Sequence, residues 1–429
     1  MSNKPFKGIE NQRNDLWFGD LKRKRKPGPS QTNKTYSEYS MSTQSVHAGQ
    51  YDDPISGAIG TPIFQSSTFY LNSDRYESVE EGTARDTFIY TRYGNPSQWS
   101  LQEKIATLEN AESAIVFSSG MAAISSSVFA LVEKGCNIIT SRDLYGGTYN
   151  LLYEDLQRFG IEVKFVDMTD VEEIESAIDD RTKLMFFESL SNPLLKMAPV
   201  DKLVEIRKNH GLRIIIDNTF LTPFNLKPLD LGVDLVVNSA TKYLGGHSDL
   251  VAGTVSGSRK MIDMVWGQML KLGGSMDPHA CFMLERSLKT FALRMRAHNY
   301  NATVLADFLQ DHPRIKQVFF PGFDTYPYEA DKERMGAGCS GMISFVIEGG
   351  DEMSHALLAA LKLPREATSL GGVESLVSLP YNTSQASLTK KQREAIGIQD
   401  GTIRLSVGIE DSEDLINDFK QALDFIYEK

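Results

Sequence analysis

An acid and a lysine follow two short apolar runs in the middle of this 429-residue sequence. Asp217 comes directly after Arg213–Ile216, and Lys242 comes five residues after the end of Asp234–Val237. Both runs have the length and composition of buried strands in a parallel sheet. Taken alone, such an acid is often a turn residue and such a lysine is usually at the surface. Sites in open α/β sheets lie beyond the carboxyl ends of the strands, so the two side chains are candidates for one catalytic site.

A second group of residues has the character of a phosphate-binding site. The apolar run Ala114–Phe117 leads through two serines into Gly120 and Met121, where a predicted helix begins. Backbone N–H groups at a helix N-terminus bind phosphate, although an ordinary strand-to-helix turn has the same pattern. Ser239 and Thr241, beside the lysine, add two hydroxyl groups that can bind a phosphate.

Together these features match the needs of one cofactor, pyridoxal phosphate. It requires a lysine for a Schiff base and a carboxylate on its pyridinium nitrogen, which keeps the ring an electron sink. Lys242 and Asp217 are of the required types. Tyr145, in Asp143-Leu-Tyr-Gly-Gly after the next apolar run, could stack on the ring, although a tyrosine there is more often a packing residue.

The elements that must position these residues follow an α/β pattern. From about residue 97, short apolar runs alternate with amphipathic stretches, which predicts a mostly parallel sheet flanked by helices. After about residue 290, a long helical stretch and two strand-like runs, Met342–Ile347 and Thr402–Val407, predict a smaller C-terminal α+β domain. The strands predicted in the first part are Ala114–Phe117, Asn137–Thr140, Val163–Val166, Lys183–Phe187, Arg213–Ile216 and Asp234–Val237.

Charge is unevenly distributed along the chain. The formal net charge is −11, but residues 1–40 alone carry +5, so the rest carries −16. Bulk acidity argues against nucleic acid as the main partner. The basic run Lys22–Lys26 is either a solvated tail, a polyanion contact or a nuclear localisation signal.

Other sequence features argue against disulfide-rich and zinc-binding proteins, secreted and membrane proteins, and NAD-binding proteins. Three cysteines, with no pair at zinc spacing, predict neither a disulfide framework nor a metal site and fit the cytoplasm. No apolar leader is visible at the N-terminus. The uncharged run Ser113–Val132 contains six serines and a glycine, so we interpret it as strand, loop and helix and expect no membrane span. Gly336–Gly341 matches GxGxxG, but no strand precedes it, so NAD binding is not expected.

Six motifs follow one another along the chain in a characteristic order. They are Tyr90-Thr-Arg-Tyr-Gly-Asn-Pro, Ser119-Gly-Met-Ala, Asp143-Leu-Tyr-Gly-Gly, Asp217-Asn-Thr, Ser239-Ala-Thr-Lys-Tyr-Leu-Gly-Gly-His-Ser and Ser369-Leu-Gly-Gly-Val-Glu-Ser-Leu. Through these motifs the chain, from about Ser45 onward, resembles the Cys/Met-metabolism family of pyridoxal phosphate enzymes, which includes cystathionine γ-synthase, cystathionine γ- and β-lyases, methionine γ-lyase and O-acetylhomoserine sulfhydrylase. The resemblance implies fold type I.

The resemblance implies roles for the catalytic and cofactor-binding positions. It implies that Lys242 forms the Schiff base and moves protons, that Asp217 pairs with the pyridinium nitrogen, and that Tyr145 stacks on the ring and assists proton transfer. Asn192 would contact the phenolic oxygen of the cofactor. The positions implied to hold the phosphate are Gly120, Met121, Ser239, Thr241 and, from a neighbouring subunit, Tyr90 and Arg92.

The family also suggests how the substrate is held. Arg404, in Thr402-Ile-Arg-Leu-Ser, would bind the substrate carboxylate with the help of Ser369, because a guanidinium fork matches a carboxylate. Thr368, before Ser369, replaces the Glu that is usual in the cystathionine-processing γ-enzymes. At the stacking tyrosine, methionine γ-lyases usually have the sequence Tyr-Gly-Cys, and in this chain Gly147 replaces the Cys. The run 379–385 also departs from the family pattern, through either an unusual side-chain preference or drift.

These observations predict γ-elimination from a sulfur- or heteroatom-bearing amino acid such as methionine, homocysteine or cystathionine, giving a 2-oxoacid and ammonia. The alternatives are γ-replacement and, third, β-elimination from cystathionine. A phosphate contact from a neighbouring chain implies a homo-oligomer, expected to be a tetramer of active dimers. We predict four parts: a basic arm over 1–45, a segment over 46–96 that reaches the neighbouring subunit, a cofactor-binding domain over 97–290 and a C-terminal domain over 291–429.

Overall fold

The computed structural model describes most of the chain after residue 35. The described residues are 36–427 except 52, 54, 55, 72, 82, 83, 324–337, 384, 387 and 388. Most of the predicted basic arm, including Lys22–Lys26, and part of the GxGxxG run therefore lie outside the described residues.

Seven strands form the larger sheet, in the order β1-β7-β6-β5-β4-β2-β3. All neighbours in this sheet are parallel except β7, which runs antiparallel to both β1 and β6. The strands are β1 (Ser113–Phe117), β2 (Asn137–Ser141), β3 (Glu162–Val166), β4 (Thr182–Glu188), β5 (Arg213–Asp217), β6 (Leu235–Asn238) and β7 (Gly253–Gly257). The six predicted strands are confirmed within one residue at each end, and the mostly parallel sheet is confirmed.

Helices flank this sheet and continue around the smaller one. A π turn over Leu151–Asp155 joins the short helices Gly146–Asn150 and Leu156–Arg158. The helices are α1 (Met41–His47), α2 (Ser73–Glu80), α3 (Pro96–Leu108), α4 (Gly120–Leu131), α5 (Gly146–Asn150), α6 (Leu156–Arg158), α7 (Val171–Ser176), α8 (Val200–His210), α9 (Thr222–Asn225), α10 (Pro228–Leu231), α11 (Arg259–Leu272), α12 (Pro278–Leu288), α13 (Phe291–Asp311), α14 (Gly350–Ala360), α15 (Lys390–Ala395) and α16 (Ser412–Tyr427).

The apolar strands are buried because helices cover both faces of the sheet. Successive strand residues point to opposite faces. Ile215 accordingly packs in a cluster with residues of α4 and α11, whereas Ile214 and Ile216 pack with α8 on the other side. A strand enclosed in this way reads as a continuous apolar run, which is why β4, β5 and β6 could be recognised from the sequence.

Strand β7 was not predicted, because its sequence Gly-Thr-Val-Ser-Gly carries little apolar signal. Its first glycine has a steric reason. A Cβ added at Gly253 would lie 2.2 Å from the carbonyl oxygen of Ser119, at the N-terminus of α4. Glycine therefore lets β7 run directly beneath the turn that opens α4.

Five strands form the second sheet, in the order β10-β11-β12-β9-β8. Only β10 and β11 are parallel. Apolar residues of β9, β12, α13 and α16 form its core. The strands are β8 (Ile315–Phe319), β9 (Met342–Ile347), β10 (Arg365–Glu366), β11 (Leu376–Ser378) and β12 (Thr402–Ser406). The smaller α+β domain is confirmed, although β8, β10 and β11 were not predicted, while the four-part division of the chain stays a prediction.

Among the helices of the described residues, none is both long enough and apolar enough to span a membrane.

Candidate active site

A cavity of about 480 Å³ lies beyond the carboxyl ends of β4, β5 and β6 and reaches the second sheet. Turns that follow β1 and β6 form one wall, and the segment before β11 together with β12 forms another. The cavity contains eleven predicted site residues, which the fold brings together from distant parts of the chain: Gly120, Met121, Tyr145, Asn192, Asp217, Ser239, Thr241, Lys242, Thr368, Ser369 and Arg404.

One end of the cavity is formed by the N-terminus of α4. The Ser119 hydroxyl oxygen accepts the Ala122 N–H at 3.1 Å and so caps the helix. Gly120 and Met121 supply the first two N–H groups of the helix, which have no acceptor within it. A Cβ at Gly120 would lie 2.9 Å from the Ser239 Cβ, so only glycine lets this turn approach the serine closely. The result is a cradle of backbone N–H and hydroxyl groups suited to a phosphate.

Asp217 ends β5 with a carboxylate inside the cavity. The side chain is only 8% exposed, and burial raises the pKa of its carboxyl group. Its Oδ1 accepts two hydrogen bonds from Thr219, from the N–H at 3.0 Å and from the hydroxyl at 2.5 Å. The same Thr219 hydroxyl oxygen accepts the Ser239 N–H at 2.8 Å, so it joins the ends of β5 and β6.

Lys242 lies in the turn after β6, with its amine in the cavity. Its Nζ donates a hydrogen bond of 2.8 Å to the Ser369 hydroxyl oxygen. Burial, and secondarily the positive charge of Arg404, lowers the pKa of the amine to about 8. About a tenth of the amine is therefore neutral at pH 7, and this form can accept a proton.

Arg404 occupies the centre of β12, and its side chain reaches the loop that follows β4. One of its terminal nitrogens donates to Asn192 Oδ1 at 3.2 Å, and the other donates to the Ser369 carbonyl at 3.1 Å. Burial lowers the pKa of the guanidinium to about 10, so it remains a cation at neutral pH. A buried cation with free hydrogen-bonding capacity in a cavity is suited to a carboxylate ligand.

Tyr145 presents its ring to the cavity from the loop before α5. The residue is half-exposed, and its backbone N–H donates to Glu188 Oε1 at 2.7 Å. A Cβ at Gly147 would lie 2.6 Å from Cε1 of the Tyr145 ring. Glycine at position 147 therefore leaves this ring position unobstructed.

Sequence reasoning missed several residues of the cavity. One of them is Glu188, the last residue of β4. Burial and the charge of Asp217 raise the pKa of its carboxyl group well above the usual range. The rule that placed Asp217 at a strand end applies equally to Glu188 and could have found it. The other lining residues that were not predicted are Ser119, Ile124, Leu190, Thr219, Phe220, Val251, Leu370 and Thr383.

Tyr90 and Arg92 do not reach this cavity within the chain. The Arg92 guanidinium donates to the Leu270 carbonyl in α11 at 2.8 Å and lies 5.7 Å from the centre of the Tyr90 ring. The Tyr90 side chain is exposed. The structure therefore leaves both side chains apart from the cradle of their own chain.

The donor set of the cavity fits pyridoxal phosphate. The cradle at Gly120 suits its phosphate, the buried Asp217 carboxylate suits a pyridinium nitrogen, and the amine of Lys242 suits its aldehyde carbon. Asn192 offers an amide and Tyr145 offers a ring face in the same space. Each of these groups therefore matches a part of the cofactor.

Comparisons with known proteins agree with this geometry. The family model described as Cys/Met metabolism PLP-dependent enzyme matches residues 42–424. The chain is 41% identical to L-methionine gamma-lyase of Fusobacterium nucleatum over 395 residues, covering 90% of this chain and 98% of that protein. It is 42% identical to cystathionine gamma-lyase of Bacillus subtilis over 385 residues, covering 90% and 99%.

A solved structure extends the likeness to three dimensions. The crystal structure of cystathionine gamma-lyase from Lactobacillus plantarum complexed with L-serine superposes with a TM-score of 0.84 at 35% identity, covering 90% of this chain and 99% of that one. The family model and both relatives span nearly the whole described chain, cavity included. The chain therefore belongs to the Cys/Met metabolism family of pyridoxal phosphate-dependent enzymes.

Proposed function

We propose that the protein catalyses γ-elimination from an amino acid with a neutral sulfur-bearing side chain, such as methionine. Addition of one water molecule would give 2-oxobutanoate, ammonia and the thiol. The observation that carries the proposal is Thr368, an uncharged residue that lines the cavity beside Ser369, at the position where the resemblance to cystathionine-processing γ-enzymes implies a Glu. An uncharged wall favours a thioether over a side chain that ends in an ammonium group.

The rest of the lining supports the same substrate class. The described residues along the cavity include six apolar side chains, and the two acids among them end strands at the cofactor end. Such a lining desolvates a thioether at little cost. The apolar residues are Met121, Ile124, Leu190, Phe220, Val251 and Leu370.

When bound, pyridoxal phosphate supplies the electron sink that makes the Cα and Cβ protons of an amino acid acidic. Lys242 would take the Cα proton, since its pKa near 8 leaves part of the amine neutral at physiological pH. Ser369 would hold that amine in place through the 2.8 Å hydrogen bond to Nζ. Proton transfer at Cα and Cβ is thus assigned to one flexible side chain.

Arg404 would bind the substrate carboxylate and fix the orientation of Cα. Its guanidinium is already held by Asn192 and by the Ser369 carbonyl. Little side-chain freedom is then lost on binding, and this pre-organisation favours tight and oriented binding. The Tyr145 hydroxyl, on a half-exposed ring, would give a proton to the departing sulfur.

A substrate panel tests the proposed reaction. Methionine, homocysteine, cystathionine and O-acetylhomoserine are supplied with and without an added thiol, and 2-oxoacid, ammonia and released thiol are measured. We expect 2-oxobutanoate, ammonia and methanethiol from methionine in equal amounts. Product that requires the added thiol, without 2-oxobutanoate, would instead identify γ-replacement, and pyruvate from cystathionine would identify β-elimination.

We further propose that a complete site needs two copies of the chain, with Tyr90 and Arg92 completing the phosphate cradle of a partner, and that the assembly is a tetramer of active dimers. Exposed apolar side chains on the same N-terminal segment support this proposal, because a second copy would bury them. They are Ile59, Ile63, Tyr70, Leu71, Tyr76 and Val79.

Subunit mixing tests this assembly. Lys242→Ala and Arg92→Ala variants are each expected to be inactive, and a dimer that contains one chain of each would have one intact site. We therefore expect activity to return when the two variants are co-refolded. Failure of any mixture to exceed the separate variants, while wild-type chains mixed with wild-type recover fully, would contradict the shared site.

We propose the cytoplasm as the place of action. Cys136 and Cys281 are buried free thiols. Unpaired thiols are typical of reducing compartments. Fractionation of the native host, with the protein followed by antibody, tests this placement, and recovery outside the cytoplasmic fraction would contradict it.

A further inference from the structure

Two carboxyl groups lie side by side at the cofactor end of the cavity. Glu188 and Asp217 are register partners at the ends of the parallel neighbours β4 and β5. Glu188 is 5% exposed, and both side chains line the cavity. Two carboxylates held so close in a buried site cannot both ionise without a large cost, so one of them retains a proton.

Hydrogen bonding decides which of the two is ionised. Asp217 accepts two hydrogen bonds from Thr219, at 3.0 and 2.5 Å. Glu188 accepts one, from the Tyr145 N–H at 2.7 Å. Donors aimed at a carboxylate stabilise its charged form, so Asp217, which accepts more hydrogen bonds, is the anion and Glu188 holds the proton.

The other charged groups near Glu188 favour the same assignment. The charge of Asp143 also disfavours ionisation of Glu188. Lys196, a cation beside Asp143, is 2.8 Å from the Asp143 carboxylate and 3.7 Å from that of Asp167. Its charge is thus placed against those two acids.

We propose that Glu188 is a positioning residue that works as a neutral carboxylic acid, holding the Tyr145 backbone while leaving Asp217 to carry the negative charge at the strand ends. The inference rests on the proposed roles of Tyr145 and Asp217. A neutral acid is less costly to bury than a second carboxylate. Its Oε1 still accepts the Tyr145 N–H, so the start of the Tyr145 loop is fixed against β4.

Two substitutions separate this role from that of an anion. Glu188→Gln reproduces the shape and the acceptor oxygen of a protonated acid but can never be charged. Glu188→Ala removes the acceptor and leaves the Tyr145 N–H without this partner. If the proposal is correct, Gln substitutes fully for Glu188 and Ala does not.

The first measurement uses the holoenzyme. For Glu188→Gln we expect the cofactor dissociation constant, the visible absorption spectrum and its pH dependence, and kcat to match the wild type. For Glu188→Ala we expect kcat to fall by about 10- to 100-fold, because Tyr145 is no longer held in place. The cofactor measurements need no substrate, so they test the inference even if γ-elimination proves to be the wrong reaction.

The second measurement uses the full chain without cofactor and follows unfolding in urea at about pH 5 and about pH 8. A carboxyl group whose pKa is raised on folding binds more protons in the folded state, so its contribution to stability falls as pH rises above the unfolded pKa of about 4. Relative to the wild type, Glu188→Gln should therefore gain stability between these two pH values. Loss of cofactor binding, loss of folding or an unchanged stability gap in Glu188→Gln would each overturn the proposal.

Discussion

The Lys242 amine donates a hydrogen bond of 2.8 Å to the Ser369 hydroxyl, although the two residues are 127 positions apart. Lys242 follows β6 of the larger sheet, and Ser369 precedes β11 of the smaller one. The Ser369 carbonyl also accepts a hydrogen bond from Arg404 at 3.1 Å. One serine therefore sets the positions of both cations at the point where the two sheets meet.

Removal of the Lys242 amine should abolish the yellow colour that bound pyridoxal phosphate gives to the purified protein. In Lys242→Ala, the group proposed to bind the cofactor covalently is gone, so we expect the visible absorption band to disappear. Lys202→Ala is the matched control, since Lys202 is exposed on α8 and pairs only with Glu205 at 3.2 Å among the contacts described. A yellow Lys242→Ala protein with the wild-type spectrum would contradict the role of Lys242.

The reaction rate should depend on the protonation of Lys242. Its pKa of about 8 means that the neutral, proton-accepting form increases as pH rises. We therefore expect kcat to increase from pH 6 and to level off above about pH 8 to 9. The check is a kcat profile measured with a non-interacting buffer series. A profile that is flat through this range would exclude Lys242 as the rate-determining base.

Loss of the guanidinium fork should weaken substrate binding more than catalysis. Hydrogen bonds to a charged group contribute about 1.5–3 kcal/mol, so Arg404→Ala should raise KM for methionine about 10- to 100-fold. The KM of Arg404→Lys for methionine should lie between those of the wild type and Arg404→Ala, because lysine keeps the positive charge without the guanidinium fork.

The control for this prediction is methionine amide, which has no carboxylate for Arg404 to bind. Its kinetic constants should be poor in the wild type and nearly unaffected by Arg404→Ala. An equal rise in KM for methionine and for its amide would assign Arg404 a structural role only.

A smaller effect is expected from the loop that departs from the family pattern. The Gln385 amide donates to the Asn192 carbonyl at 3.0 Å, and Asn192 Oδ1 accepts from Arg404 at 3.2 Å. Loss of one neutral hydrogen bond costs about 0.5–1.5 kcal/mol, so Gln385→Ala should raise KM for methionine about 2- to 10-fold. In the double variant Gln385→Ala/Arg404→Ala, KM for methionine should be little higher than in Arg404→Ala alone, because both side chains act through Asn192. Additive effects would contradict that coupling.

A carboxylate in place of Thr368 should change substrate preference. Thr368→Glu would put a negative charge in the cavity wall beside Ser369. We expect kcat/KM to fall for methionine, which cannot pair with it, and to improve for cystathionine relative to methionine, because its distal ammonium can. Thr368→Gln is the uncharged control of equal size. The same ratio of the two substrates in both variants would show that shape, and not charge, controls selectivity.

Local pattern was sufficient for much of the fold and of the site. Fully buried parallel strands such as β4 and β5 produce apolar runs that stand out in a sequence, and their carboxyl ends directed attention to Asp217. The same pattern fails for β7, where glycine and hydroxyl residues surround one valine and the strand is held by pairing with β1 and β6 and by packing of Val255. The strand-end position of Glu188 was open to the same reasoning as that of Asp217, but its burial beside Asp217 is a tertiary contact that the sequence does not show.

The amino-acid sequence by itself determined the strand-and-helix alternation, the family and the identity of most groups in the cavity, since these depend on residue type and on short-range spacing. Only the tertiary structure decided that Ser369 joins Lys242 to Arg404 and that Glu188 lies against Asp217. The protonation of these groups depends on burial and on neighbouring charges. Both arise from contacts between residues far apart in the chain, which appear only once the two sheets are packed.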